Sequence, residues 1–270
     1  FRRVLFRSAK ILQTPWEKNT TCPVFISGQG AGKNSFIEAF GKILGQHFKA
    51  ITNERGLSGQ FNGHMKDCLL LFANEAIWGG DRQGAGQIKS IITDPTLRVE
   101  FKGKDSFEVD NYINLIVASN SDRAIPAEVG DRRFYVMNVS DHRKDDTEYF
   151  AALHTEIENG GIQAMMHDLL KLDISGVNLR QIERTDGLMG QILKNMQSVD
   201  SYWFHRLRDG YLLPAKYDDE GHETLEAYPW DQPVISALQY NDYLSFCAQR
   251  QIKYPRSEEH TSELQSRQSI

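Results

Sequence analysis

The run FISGQGAGKNSF, Phe25 to Phe36, limits this chain more than any other stretch. It begins in PVFIS, Pro23 to Ser27, an apolar segment too brief for a helix and met at once by glycines, so a buried strand is expected. Beyond the lysine, Phe36, Ile37, Phe40, Ile43 and Leu44 fall on one helical face, and Gly45 stands where a helix stops. Strand, glycine loop and helix follow in the order a phosphate-binding loop requires. Glycines let backbone N–H groups converge on phosphate oxygens without a Cβ in the way, and a lysine reaches the outer phosphates. Gly28, Gly30, Gly32 and Lys33 meet that need, with Gln29 and Ala31 between them. The strict pattern G-x-x-x-x-G-K-[ST] is not met, because Ser27 holds the first glycine position and Asn34 delays the hydroxyl to Ser35. Either Asn34 or Ser35 is then left to serve a nucleotide-bound Mg²⁺. The competing reading is a glycine turn with an exposed lysine.

Three further apolar runs, CLLLFANEA, YINLIVASN and FYVMNV, have the continuous pattern of strands buried on both faces. Helical stretches alternate with them: QIKSIITDP, halted by Pro95, then Tyr149 to Ile157 and Ile162 to Leu172. The fold class expected is α/β, a mostly parallel central sheet with helices on both faces. Ile51 to Lys66 reads as a polar connection. Leu97, Val99 and Phe101 alternate with charged residues, and the alternation resumes at Phe107 and Val109, which predicts a β-hairpin with Lys102 and Lys104 at its tip. No aromatic residue is expected close enough to that tip for base stacking. Past Ser175 the character changes: Leu188, Ile192, Met196, Val199, Trp203 and Leu207 share one helical face up to Gly210, and a last helix runs near Asn241 to Arg250. A domain boundary is placed near Ser175, and Trp203 is expected in a core.

Nucleotide hydrolysis needs a carboxylate at the end of a neighbouring strand to orient and deprotonate water. Glu75 supplies it in FANEA, where Asn74 stands in place of the usual preceding aspartate, so Glu75 serves both the water and the Mg²⁺. Asn120 ends LIVASN, expected on a strand between the other two, where an amide would reach the attacking water and the γ-phosphate. In GDRRF, Arg132 or Arg133 is placed to stabilise phosphoryl charge in a neighbouring subunit. Each residue also has a bland reading: a surface glutamate, a turn-forming asparagine, and an arginine paired with Asp131 or Glu128. Order and spacing carry the weight.

Composition excludes several classes. With 31 basic against 36 acidic residues, bulk charge does not announce a nucleic-acid binder, so any such contact is local. Cys22, Cys68 and Cys247 are far apart, without CxxC or paired histidines, which argues for a reducing compartment and no structural metal; Cys68 reads as core. No apolar run approaches the roughly 20 residues of a membrane span, and a soluble intracellular protein is expected. FRRVLFRS at residues 1–8 and RSEEHTSE within residues 256–270 read as translations of one sequencing adapter in opposite orientations, and are set aside. What remains is more acidic still and reads as an internal fragment.

With these residues in hand, the chain resembles the superfamily 3 helicase domain of phage, plasmid and virophage primase-helicases, within the AAA+ ATPases, and most of all the helicase domains fused to primase-polymerases. The resemblance runs from KILQTP to LLKLD through GQGAGKNSF, FANEA, IKSIITDPTLRVEFKGKD, NLIVASN and GDRRFYVMNVS. It implies a P-loop core over residues 9–175 and an incomplete winged-helix-like region over residues 176–255. It also implies ATP and Mg²⁺ as cofactors, a hexameric ring moving on single-stranded DNA, Lys102 and Lys104 against the DNA backbone, and a primase or primase-polymerase domain upstream. From Asp186 to Pro255 six lysines and arginines face ten acids, a poor footprint for DNA. The expected function is an ATP-dependent DNA helicase motor; the alternatives are an AAA+ ATPase that remodels or loads a protein partner, and a nucleotide-binding domain without turnover.

Overall fold

A computed structural model describes residues 2–53, 56, 57, 59, 61–75, 82–121, 123–217, 223–231 and 234–252. The chain divides into two compact units, Phe1–Asn195 and Met196–Ile270. In the first, α1 (Arg2–Gln13) precedes β1 (Cys22–Ile26), α2 (Lys33–Leu44), β2 (Phe48–Ile51) and β3 (Leu70–Asn74). Then come α3 (Arg82–Thr93), β4 (Thr96–Val99), β5 (Phe107–Asp110), β6 (Asn114–Ser119), β7 (Phe134–Asn138), α4 (Thr147–Glu156), α5 (Ile162–Lys171) and α6 (Asp186–Asn195).

Five strands form one sheet in the order β2-β3-β6-β1-β7, every neighbouring pair parallel. Parallel strands covered on both faces need apolar side chains at every position, which is why their sequences do not alternate. Phe25, Phe72, Ile116 and Tyr135 share a cluster with Ile37 and Phe40 of α2, Val4 and Ile11 of α1, and Leu169 of α5. The intervening Val24, Leu71, Ala73, Leu115 and Val117 are buried as well, and α3 packs on β6 while α6 packs on β7. Phe40 is fully buried, and its truncation to alanine costs about 3–5 kcal/mol.

The segment read as a polar connection from Ile51 hides an edge strand just before it. β2 pairs with β3 from Phe48↔Leu70 to Ile51↔Ala73, but its residues are half-buried or exposed, so hydropathy carried little signal. Phe48 reaches back beneath α2, where a Cβ on Gly41 would lie 2.5 Å from its ring.

The hairpin forms as expected, with β4 and β5 antiparallel from Thr96↔Asp110 to Val99↔Phe107. Its turn closes through Lys104 N donating to Phe101 O at 3.1 Å, with Gly103 at φ 75°, a value that suits glycine at this turn position. At its base, Asn111 Nδ2 donates to Ile91 O and Asp94 O at 3.2 and 2.9 Å, and Lys18 Nζ donates to the same two carbonyls. These donors satisfy the orphan carbonyls at the end of α3. Burial pushes the Lys18 ammonium down to about 8, with Asp94 opposing.

The helical face read from Leu188 to Leu207 is broken, and the break is where the units part. Thr185 Oγ1 donates to Val136 O at 2.6 Å, and Asn195 Nδ2 donates to Ile125 O and Ala127 O at 2.7 and 3.0 Å, binding α6 into the first unit. Gln197 is extended (φ −64°, ψ 157°), and a new helix follows. The division therefore falls beyond the change of character near Ser175. Residues 2–8, set aside on sequence, are the first turns of α1, with Val4, Phe6 and Arg7 buried; residues 256–270 lie outside the described residues.

The second unit holds α7 (Ser198–Asp209), β8 (Lys216–Tyr217), β9 (Glu223–Leu225) and α8 (Ser236–Gln249). Val199, Tyr202, Trp203, Tyr243 and Phe246 form its core. Trp203 lies inside it, as its place on the helical face suggested. Arg206 Nε meets Asp242 Oδ2 at 3.0 Å, and Tyr202 Oη donates to that oxygen at 2.8 Å.

Candidate functional site

Because β1, β6 and β3 are adjacent and parallel, the residues leaving their C-terminal ends emerge side by side. Ile26 registers with Ser119 and Asn74 with Ala118, so the glycine loop, Asn120 and Glu75 meet on one edge of the sheet. Lys33 Nζ donates to Ser27 O (3.1 Å), Ser27 Oγ (2.9 Å), Gly28 O (2.9 Å) and Asn120 Oδ1 (2.5 Å). Four acceptors surround three protons, so the ammonium is fully engaged. Desolvation lowers its pKa, while Glu75 and Asp141 act the other way. Asn120 Nδ2 in turn donates to Glu75 Oε1. Lys33, Asn120 and Glu75 thus form one hydrogen-bonded chain across three strand ends.

Glu75 is held at φ 54° while its N–H donates to Ala118 O at 2.8 Å. A left-handed non-glycine residue costs on the order of 1 kcal/mol and recurs at functional sites. Gly30 and Gly32 take φ 80° and 78°. Gly32 caps α2 without a side-chain hydrogen bond, leaving the N–H groups of the first turn to face an anion. Asn34 and Ser35 lie in that turn, and Ser35 N donates to Gly32 O at 3.2 Å.

A segment that sequence reasoning did not single out covers this loop. A Cβ on Gly32 would lie 2.5 Å from the Phe150 ring, one on Gly30 3.0 Å from Asp145 Oδ1, and one on Gly28 3.8 Å from Asp141 Oδ1. Asp145 itself sits at φ 60°. Asp146 caps α4 by accepting from Tyr149 N at 3.0 Å and pairs with Arg143 at 2.8 Å. The charged run DHRKDD after β7 was the available signal, but nothing in its spacing points at the glycines.

Arg132 and Arg133 are not part of this cluster. They precede β7, whose Phe134 registers with Cys22 at the start of β1, and Cys22 N donates to Arg133 O at 2.6 Å. They therefore stand at the opposite edge of the sheet, about 16 Å away at ~3.3 Å per strand residue. Arg133 Nη1 is 3.4 Å from both carboxylate oxygens of Asp131, whose side chain is only 2% exposed. Glu128, the other acid considered, pairs with Lys89 at 2.9 Å. Arg132 is exposed and has no ion pair among the described residues.

Lys102 and Lys104 are exposed at the hairpin tip. Two aromatic rings lie close to that tip. Phe101 directly precedes the turn, lies under Lys104 Nζ at 5.8 Å and stacks on Phe107 at 6.2 Å, and Phe107 is 41% exposed. Pairing of the two strands brings together rings six positions apart. Among the described residues no three His, Cys, Asp or Glu side chains converge as a metal site, and no helix is long and apolar enough to cross a membrane.

Fold and site together define a parallel-sheet α/β unit with a glycine loop, a lysine and a carboxylate at the strand ends. Residues 25–133 match a family of unknown function, DUF5906. The chain is homologous to the DNA primase-polymerase of Nitratiruptor phage NrS-1, at 25% identity over 201 residues that are 70% of this chain and 28% of that protein. An apo structure of the NrS-1 C-terminal region has a similar fold, with TM-score 0.64 and 22% identity over 73% of this chain and 47% of that one. A second apo form gives TM-score 0.66 and 20% identity over 78% and 52%. The chain thus spans about a quarter of the curated relative and about half of the solved region.

Proposed function

We propose that this chain is the motor part of a phage-type replication protein, an ATP hydrolase that moves on single-stranded DNA. The observation that carries this reading is the Lys33–Asn120–Glu75 chain at the head of α2. The left-handed glycines and uncapped N-terminus of α2 fit a triphosphate. Ser35 with Asn34 and Glu75 fit a Mg²⁺ held mainly by that triphosphate, an ion that needs few protein ligands. When bound, the ion neutralises charge on the outer phosphate oxygens.

In that setting Lys33 leaves Asn120 and Ser27 for phosphate oxygens, Asn120 turns to the γ-phosphate, and Glu75 orients and deprotonates water. Arg132 or Arg133 cannot reach the nucleotide of its own chain, which fits a role in an adjacent subunit of a ring, six in the superfamily 3 helicases that the sequence resembles. The exposed tip with Lys102 and Lys104 suits backbone tracking, and the Phe101–Phe107 stack beneath it gives that tip a firm base. Two helices around the short β8–β9 ladder are compatible with a winged-helix-like tail.

The test is hydrolysis. Glu75→Gln is expected to keep ATP affinity and lose about 10²–10⁴-fold in turnover; equal turnover in the variant would reduce the site to a binder. Single-stranded DNA is expected to raise turnover, and Lys102→Ala with Lys104→Ala to abolish that rise while sparing basal hydrolysis. Stimulation by a protein partner in place of DNA would favour a remodelling ATPase.

A further inference from the structure

The polar segment ahead of β3 is fastened to the hairpin. Asn62 Nδ2 donates to Arg98 O at 2.8 Å and its Oδ1 accepts from Glu100 N at 2.9 Å, so one side chain serves the open edge of the hairpin as a neighbouring strand would. A Cβ on Gly63 would lie 2.3 Å from the Phe101 ring, and only glycine permits that approach. Met65 and Cys68 root the same turn in the core, both being buried, with Met65 N donating to Asn62 O at 2.8 Å and Cys68 N to Met65 O at 3.2 Å. Lys66 stands between them and is exposed. Its ammonium lies 5.9 Å over the Phe107 ring, as that of Lys104 lies 5.8 Å over Phe101, and the two rings stack at 6.2 Å. Two cations from segments distant in the chain therefore flank one pair of rings.

Side chains alternate in direction along β5, which puts Phe107 on this face and Glu108 on the other, where it accepts from Thr96 opposite Arg98. Lysine ion pairs among the described residues are those of Lys10 and Lys89, so Lys66 and Lys104 keep their charge for an outside anion. A ring beneath an exposed ammonium steadies it without neutralising it. We propose that Lys66 is a third cation of the strand track, set beside Lys102 and Lys104 by the Asn62 clip and meeting the phosphodiester backbone of single-stranded DNA. This rests on the DNA reading above and goes beyond it, because Lys66 lies off the hairpin, in the lead to β3.

Each phosphate contact releases counterions, so log K falls with log[salt] by about 0.7 per contact on a single strand. Anisotropy titrations of the whole chain with labelled oligo-dT and oligo-dA across a salt series read that slope. Lys66→Gln is expected to reduce it by about 0.7 for both oligonucleotides alike, and Lys66→Arg to keep the parental value. Lys171→Gln, which removes the same charge from an exposed position on α5, is expected to leave the slope unchanged. The assignment falls if Lys66→Gln keeps the parental slope, if Lys66→Arg or Lys171→Gln loses as much as it does, or if the loss appears with one base only. Reduction of the slope by Lys102→Ala with Lys104→Ala, beside an unaffected Lys66→Gln, would keep the DNA reading and remove Lys66 from it. A parent chain that binds neither oligonucleotide would overturn both.

Discussion

The two ends of the parallel sheet are built on opposite terms. At the C-terminal ends of β1, β6 and β3, a lysine, an asparagine and a glutamate satisfy one another, and the glutamate is held in a left-handed backbone. At the N-terminal end of β7, Arg132 is exposed and Arg133 meets its buried acid only at 3.4 Å. One end is electrostatically closed within a single chain; the other presents cationic reach to whatever lies beside it. The proposed function needs both: an edge that can hold a triphosphate, and an arginine edge about one strand length away that can serve a neighbouring copy.

The comparison breaks first at Arg132. If it completes a neighbour's site, Arg132→Ala lowers hydrolysis by about 10³-fold with ATP affinity unchanged, and mixing with inactive Lys33→Ala subunits restores part of the rate; turnover near the parental value would end the shared-site account. Next is Asn120→Ala, which severs the link between Lys33 and Glu75. Single-turnover hydrolysis is expected to fall by about 10²-fold, the scale of a lost positioning contact. A smaller effect concerns stability. Among the described residues, Arg133→Ala leaves the buried Asp131 carboxylate with only its backbone donor and is expected to cost ~1–3 kcal/mol in denaturant unfolding, against ±0.5 kcal/mol for Arg132→Ala at an exposed site.

The smallest effect is on pH. Burial holds the Lys33 pKa below its ordinary 10.5 in the free protein. Only the ammonium attracts phosphate, so ATP affinity is greatest at neutral pH and declines as Lys33 loses its proton. That decline should set in below the ordinary lysine range; a decline centred at or above 10.5 would show that Lys33 is not desolvated. The sign for stability is the reverse, since a depressed lysine pKa destabilises the fold while the amine is charged and this penalty fades as pH rises toward the unfolded value.

Much of this was legible beforehand, for identifiable reasons. β1, β3, β6 and β7 carry uninterrupted apolar runs because both of their faces are covered, and α2 is framed by Lys33 and Gly45. β2 was missed because an edge strand buries little. The helical stripe from Leu188 to Leu207 satisfied periodicity equally well as one helix or two, and the extended Gln197 splits it. Phe101 and Phe107 became neighbours only through hairpin pairing, and Asp141, Asp145 and Phe150 reached the glycine loop only because β7 lies beside β1.

The sequence by itself settled which residue types could hold a phosphate chain and in what order their strands and helix would follow, because glycine conformation, lysine charge and apolar patterning are local properties. Tertiary structure alone decided that Asn120 bridges Lys33 and Glu75, that the arginines lie at the far edge, and that Phe150 covers the loop at Gly32. Those relations depend on strand order, and strand order is set by packing between segments that are distant in the chain.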